Sequence, residues 1–369
     1  MEPNLKERIF GLDALRATAI LMVVSSHVLW IYPKSNAFIP TLFGLFGFWG
    51  VELFFVLSGF LIGSILYKTF INENFILKSV FHFLKRRWFR TLPNYYLVLI
   101  LNILIAFFLG FSIENTGSYF LFLQNFASKS PAFFPESWSL SIEEYTYLLL
   151  PFLLFFVGLS KVKNKAKLFL LVIVALILVF WINKFYYHSQ NKISNLSEWN
   201  LSLKSVLIYR IDAILIGVLA AWFSFNFDTI WEKSKGVFAV IGFGILFFLM
   251  FGILPLNLTI EQNPFFWNIL YLPITSIAFA FLLPFFSEWK TYTNAVFYPI
   301  ELISKISYSI YLLHYSVILL LLKTYFDTSQ MSDFERHFFT LIYLLITFFL
   351  SFVLYRFYEK PIMNWRDKR

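Results

Sequence analysis

Cysteine is absent from the 369-residue chain, which excludes disulfides, cysteine-ligated zinc and thiol nucleophiles together. Charge is also scarce, because charged residues make up 14% of this chain against roughly 25% in a soluble domain. Apolar residues make up 59% of it. Such a chain has too little charge to cover a water-facing surface and too much apolar material to be disordered. The composition therefore indicates an integral membrane protein.

Ten apolar segments are long enough to cross a bilayer, which takes roughly 20 mostly apolar residues. Their predicted limits are 12–32, 43–66, 91–111, 140–159, 167–187, 203–224, 235–254, 266–286, 299–322 and 337–358. The segment 1–11 carries charges of both signs and does not resemble a signal peptide. We expect an all-α integral membrane protein with about ten transmembrane helices, forming a single domain over residues 1–369 with no appended soluble domain.

Lysine and arginine are distributed unevenly between the two sets of connecting segments. One set, which includes both termini, holds 19 of them and the other set holds 5. Cytoplasmic segments carry this excess in membrane proteins, so both termini are predicted to be cytoplasmic. The same bias explains most of the net charge of +9, and we therefore expect no nucleic-acid partner.

Between Asp13 at its start and Tyr32 at its end, the first predicted span contains two ionisable residues, Arg16 and His27. Eleven residues separate them, so on a helix they share one face about 16 Å apart. Ionisable residues inside a span are costly and are functional candidates by default. Alternatively, Arg16 is a boundary charge paired with Asp13 and His27 is a packing residue. His27 is the best candidate proton acceptor near neutral pH.

Other predicted spans also carry residues that are unusual in a membrane. They are Glu52 in the second span, Glu143 and Glu144 in the fourth, Arg210 and Asp212 in the sixth, and Tyr308, Tyr311 and His314 in the ninth. Buried charges need partners, and these become available if the spans converge. We therefore expect a polar cavity in the outer half of the membrane. The alternative is that each charge belongs to a structural ion pair.

Arginines cluster before the third predicted span, at Arg86, Arg87 and Arg90. Arg86 and Arg90 are four residues apart and share a helical face, and such a cluster suits phosphate groups. Alternatively, the segment is an anchor on anionic lipid headgroups. The five histidines fall in different segments without local metal spacing, so no metal site is predicted.

Seven motifs occur in order along nearly the whole chain. They are Arg16-x10-His27, Gly50-Val51-Glu52-Leu53-Phe54-Phe55-Val56-Leu57-Ser58-Gly59-Phe60, Arg86-Arg87-x2-Arg90-x2-Pro93, Trp138-Ser139-Leu140-x2-Glu143, Arg210-x-Asp212-x4-Gly217, Ser307-Tyr308-x2-Tyr311-Leu312-x-His314 and Glu359-Lys360-Pro361. With these motifs the chain resembles the membrane acyltransferase-3 family. Some relatives carry a further extracellular esterase-like domain, which we do not expect here. The resemblance implies a multi-pass protein of the bacterial inner membrane.

The resemblance also implies an O-acyltransferase. Its donor would be an acyl-CoA, usually acetyl-CoA, used from the cytoplasm without being permanently bound, and its acceptor a hydroxyl of a cell-envelope carbohydrate or glycolipid. In this reaction His27 would be the general base, and Glu143 or Glu52 would orient its ring. Arg16 or Arg210 would stabilise the oxyanion or hold the donor. The CoA phosphates would be bound by Arg86, Arg87 and Arg90, and the supporting polar cavity would include Arg210, Asp212, Tyr308, Tyr311 and His314.

Two other functions remain open from the sequence. The buried carboxylates and His27 are also compatible with a proton relay in a transporter, although no internal repeat is visible. A non-catalytic assembly factor for envelope glycans is the third possibility. We expect acceptor selectivity to lie in the segments 111–135 and 185–202, while the acceptor, the acyl chain length and the oligomeric state are left open.

Overall fold

The computed structural model describes residues 8–34, 37–72, 75–113, 115–160, 162–190 and 195–368, and all regular structure within these ranges is helical. Within these ranges, ten helices follow the ten predicted spans. They are α1 (Phe10–Val28), α2 (Phe38–Asn72), α3 (Leu77–Leu109), α4 (Trp138–Gly158), α5 (Lys165–Gln190), α6 (Ile211–Asn226), α7 (Lys235–Phe251), α8 (Leu272–Ser287), α9 (Tyr298–Leu313) and α10 (Asp333–Leu354).

Shorter segments extend or connect these helices. α9 continues through the π-helical turn His314–Leu320 and the helix Leu321–Tyr325, and α10 continues through Tyr355–Glu359 and Lys360–Asp367. The π-helical segment Phe266–Tyr271 leads directly into α8. One- and two-turn helices occupy Leu29–Ile31, Gly117–Phe120, Pro135–Ser137, Leu196–Trp199, Asn200–Lys204, Leu207–Tyr209, Asp228–Lys233 and Ala295–Phe297.

Eight helical segments of the described chain are long and apolar enough to cross a membrane, and α6 and α7 are shorter apolar helices. The all-α integral membrane fold is thus confirmed. The number of crossings and the cytoplasmic side of the termini remain predictions. The expected lack of a signal peptide concerns residues 1–11, of which residues 1–7 lie outside the described ranges.

The third helix differs most from its predicted span. It begins at Leu77 rather than near residue 91 and runs for 33 residues, which is about 50 Å of helix. A bilayer core is only about 30 Å thick, so α3 is long enough to extend beyond it. The arginine cluster lies on this additional part and is helical together with the span.

α2 is the central helix of the bundle, because it packs against both α1 and α6. Glycines allow the α2–α6 approach: a Cβ atom on Gly59 would lie 1.9 Å from the Ile214 carbonyl oxygen, and one on Gly217 would lie 2.1 Å from the Val56 carbonyl oxygen. Small residues at such crossings let helix backbones come close together in membranes. On its other sides, α1 contacts α8 and α9.

Candidate active site

A cavity of about 100 Å³ lies where α1, α2, α3, α4 and α9 converge. Its charged wall consists of Arg16, Arg87, Arg90 and Glu143. Hydroxyl groups cover much of the rest, from Ser58, Thr91, Ser139, Tyr147, Ser307, Tyr308 and Tyr311. Three cations against one carboxylate give the described wall an excess of positive charge, which attracts anionic ligands.

The arginine cluster of α3 divides between the cavity and the surface. Arg87 and Arg90 line the cavity, and they lie three residues apart on one helix face. Arg86 is exposed and outside the described wall, and its carbonyl accepts a hydrogen bond from Arg366 Nη1 at 2.9 Å. Of the three arginines predicted to bind phosphates, Arg87 and Arg90 thus line the cavity and Arg86 does not, while the role of the cluster in donor binding stays a prediction.

Glu143 is the carboxylate of the cavity, and two hydroxyl groups hold it. Ser58 Oγ donates to Glu143 Oε1 at 3.0 Å, and Tyr147 Oη donates to Oε2 at 3.1 Å. The Arg87 guanidinium lies 5.9 Å from the Tyr147 ring centre. The neighbouring Glu144 points elsewhere and accepts from Thr91 Oγ1 at 2.6 Å. Glu143 therefore keeps a fixed position next to the arginines.

Asp13 holds Arg16 at the side of the cavity that α1 forms. Its Oδ1 atom lies 3.4 Å from Arg16 Nη1 and 2.5 Å from Arg8 Nη2, and it accepts a hydrogen bond from Ser304 Oγ at 2.7 Å. The pairing with Asp13 that the sequence left as an alternative is therefore present. Arg16 nevertheless also lines the cavity, so one residue combines both expectations.

His27 contacts a second imidazole, that of His314. Its Nδ1 atom lies 3.2 Å from His314 Nε2 and 3.0 Å from the Val23 carbonyl oxygen. The predicted orientation of His27 by Glu143 or Glu52 is not what the structure has. Among the described residues those carboxylates bond to other groups, and His314 occupies the place expected for a carboxylate.

The contacts of the two rings determine where their protons lie when both are neutral. A carbonyl oxygen only accepts, so His314 Nδ1, which is 2.8 Å from the Tyr311 carbonyl, carries the proton there. His314 Nε2 is then an acceptor, and His27 Nδ1 must donate toward it and toward Val23. This arrangement leaves His27 Nε2 unprotonated, which is the state a general base requires.

Glu136, which is not among the predicted site residues, fixes the π-helical turn that carries His314. Its Oε1 atom accepts from the backbone N–H of Ser316 at 3.0 Å and from Ser316 Oγ at 2.6 Å. A π-helical turn departs from the usual i to i−4 hydrogen bonding, and here a side chain takes up a backbone donor. The only signal in the sequence is a carboxylate placed directly before the apolar run of α4.

Tyr308 and Tyr311 are both in the cavity wall, as expected for supporting residues. Tyr308 Oη donates to the Thr91 carbonyl at 2.9 Å and thereby joins α9 to α3. Tyr311 Oη lies 2.6 Å from Ser139 Oγ and donates to the Glu136 carbonyl at 3.0 Å. The carbonyl of Tyr311 also accepts from His314, which links the cavity wall to the histidine pair, but neither His27 nor His314 is among the lining residues.

The remaining predicted site residues form a separate ion-pair cluster. Glu52 pairs with Arg210 and accepts from Ser276, while Asp212 lies 2.5 Å from Lys184 Nζ. These residues are buried and do not line the cavity. The prediction of one shared polar cavity is wrong for Glu52, Arg210 and Asp212, because each has an oppositely charged partner within reach. Lys184 was not singled out from the sequence.

Within the described ranges, no three histidine, cysteine, aspartate or glutamate residues are grouped closely enough to hold a metal ion. The fold and the site together define a class: a multi-pass helical membrane protein with an arginine-lined cavity next to a histidine pair. Comparison with known proteins makes the class specific. The chain belongs to the acyltransferase-3 family, because the family's model, described as an acyltransferase domain, matches residues 9–356.

Similar proteins include O-acetyltransferases of Listeria monocytogenes and Staphylococcus aureus. The chain is 28% identical to the peptidoglycan O-acetyltransferase OatA of Listeria monocytogenes, over 95% of the chain and 55% of the relative. It is 27% identical to the O-acetyltransferase OatA of Staphylococcus aureus, over 95% of the chain and 57% of the relative. It thus spans little more than half of these relatives. No solved structure matches the chain significantly.

Proposed function

We propose that the chain is a membrane O-acetyltransferase that moves an acetyl group from cytoplasmic acetyl-CoA to a hydroxyl of a cell-envelope carbohydrate. The observation that carries this proposal is the positively charged cavity together with the histidine pair linked to its wall through Tyr311, in which His27 Nε2 is unprotonated. The names of the Listeria and Staphylococcus relatives support an O-acetyl product and favour peptidoglycan as the acceptor.

The donor is proposed to enter from the side of Arg87 and Arg90. A cavity of about 100 Å³ has the volume of roughly three water molecules. It suits the acetyl thioester end of the donor, whereas a whole nucleotide is far too large for it. The phosphates would therefore stay at the mouth of the cavity, where Arg90 is exposed and guanidinium groups can bind them bidentately.

In the proposed reaction, His27 Nε2 takes the proton of the acceptor hydroxyl while the hydroxyl oxygen attacks the carbonyl carbon of the thioester. The carbon–sulfur bond then breaks, and the CoA thiolate that leaves takes this proton from the His27 imidazolium. His314 Nε2 accepts from His27 Nδ1–H throughout and stabilises the charged ring. Arg16 lies about 16 Å from His27 along α1, so its proposed role is to anchor the donor from the cavity wall. A thioester is reactive enough that no enzyme nucleophile is needed.

The test uses the purified chain in liposomes with radiolabelled acetyl-CoA and peptidoglycan fragments. We expect label in the glycan with the wild type and a loss of about 100-fold or more in His27→Gln. His82→Gln is the matched control, since His82 is an exposed imidazole, and it should behave as the wild type. Full activity of His27→Gln refutes the base, and transport without any dependence on acyl-CoA supports the transporter instead.

A further inference from the structure

A second and larger cavity lies on the other side of the π-helical turn His314–Leu320. Its volume is about 390 Å³, which is in the range of small-molecule binding sites. The C-terminal part of α3, the segment that follows it and the continuation of α9 enclose it. This cavity is not part of the arginine-lined site, since none of its lining residues occurs in both walls.

Two of the hydroxyl groups on its wall have already used their protons. Ser316 Oγ donates to Glu136 at 2.6 Å, and Thr324 Oγ1 donates to a carbonyl one turn earlier at 2.9 Å. A hydroxyl has one donor and two acceptor positions, so both groups have only acceptor positions left for a ligand. Asn102, which uses one N–H on the Val98 carbonyl at 3.0 Å, contributes its amide oxygen. A ligand that brings its own hydrogen-bond donors therefore fits these three positions.

The described wall of this cavity contains no charged side chain. A charged ligand would be buried there without a partner, which is costly. A purely apolar chain would make no hydrogen bond to the remaining acceptor positions of Ser316 and Thr324. Phe111 and Phe133 provide apolar faces beside these polar positions. An uncharged compound with several hydroxyl or amide N–H groups, which has both polar edges and apolar faces, satisfies all of these conditions.

We infer that this cavity binds an uncharged sugar unit of the acceptor glycan, next to the unit that is acetylated. Glu136 contacts the walls of both cavities. Its carboxylate accepts from Ser316 in the wall of the second cavity, and its backbone carbonyl accepts from Tyr311 in the wall of the first. The sugar would thus contact the same π-helical turn that carries His314. The inference rests on the proposed function, because it assigns the acceptor side of that reaction.

Two pairs of variants test whether this cavity binds a sugar. Ala132→Trp places an indole in the cavity, whereas Ala127→Trp adds the same group at an exposed position of the same segment outside the described wall. Thr324→Val removes an acceptor from the wall. Thr69→Val is its control, because Thr69 is exposed and bonds to its own helix carbonyl at 2.9 Å in the same way.

The measurement is ligand-observed NMR of N,N′-diacetylchitobiose, an uncharged disaccharide, with the chain in lipid nanodiscs. We expect binding to the wild type and to both controls, a loss of about tenfold or more in Ala132→Trp, and a smaller loss in Thr324→Val. No binding to the wild type, or equal binding to Ala132→Trp and Ala127→Trp, overturns the inference. Thermal unfolding of each variant shows that it is folded.

The two proposals fail in different ways. Sugar binding in the second cavity without acetyl transfer from acetyl-CoA would contradict the proposed function only. Acetyl transfer to the glycan that Ala132→Trp leaves unchanged would contradict the second site only. Displacement of the disaccharide by dodecane-chain detergent would assign the cavity to a lipid chain and also overturn the sugar site.

Discussion

Arg86 and Arg87 are neighbours with the same charge, but only Arg87 lines the cavity. If Arg87 contacts the donor phosphates at the mouth of the cavity, Arg87→Ala removes charge-assisted hydrogen bonds that contribute about 1.5–3 kcal/mol. That free energy corresponds to a rise in the donor Kd of about 10- to 100-fold. Arg86→Ala removes only a distant, solvent-screened charge, and its donor Kd should rise by less than about threefold.

The assay is equilibrium binding of a non-hydrolysable acetyl-CoA analogue to the chain in nanodiscs. Both variants lose the same charge from the same helix, so general electrostatic effects cancel in the comparison. Arg87→Lys provides a further check, because lysine keeps the charge without the planar fork of donors. We expect it to bind more weakly than the wild type and more tightly than Arg87→Ala.

An equal loss of affinity in Arg86→Ala and Arg87→Ala would refute this reasoning, since it would mean that the cluster acts only as a diffuse basic surface. Unchanged binding in Arg87→Ala would remove the cavity from the donor site altogether. A loss confined to Arg86→Ala would place the donor on the exposed side of α3. Size-exclusion profiles identify any variant that has not folded.

Three further predictions concern the supports of the site. His314→Ala leaves His27 Nδ1 without its imidazole acceptor, so kcat should fall by about tenfold or more with little change in donor Kd, as measured by transfer kinetics and binding. Glu136→Ala leaves the buried backbone N–H of Ser316 without its acceptor and should lower the free energy of unfolding by about 1–3 kcal/mol. Glu136→Gln retains an acceptor and should lower it less. Thermal unfolding in detergent measures both effects. Gly59→Val should prevent the α2–α6 approach and abolish monodisperse protein in size-exclusion chromatography, whereas Gly244→Ala, which faces open space, should not.

The apolar runs predicted the helices well, because length and hydropathy alone govern which segments can lie in a membrane. The positions of ten helices in the described ranges follow the ten predicted spans. Helix ends outside the bilayer were harder to predict. The early start of α3 at Leu77 is an example, since hydropathy gives no signal for a helix that continues beyond the membrane.

Which buried charges meet was not predictable, because it depends on helix packing rather than on depth. The sequence placed Glu52 and Glu143 in one cavity, yet Glu52 pairs with Arg210 and only Glu143 reaches the arginine-lined wall. The histidine pair was missed for the same reason: 287 residues separate His27 and His314, and only the packing of α1 against α9 brings them together.

The two cavities also bear on the order in which the substrates react. The chain has no cysteine, and the donor and acceptor sites proposed here lie in different cavities on either side of the turn that carries His314. Neither substrate then has to leave before the other binds. We therefore expect sequential kinetics, with intersecting double-reciprocal plots for acetyl-CoA and the glycan. Parallel plots, together with acetyl label retained on the chain, would instead require an acetyl-enzyme, and Ser58, whose hydroxyl lines the cavity and donates to Glu143, would become the residue to examine.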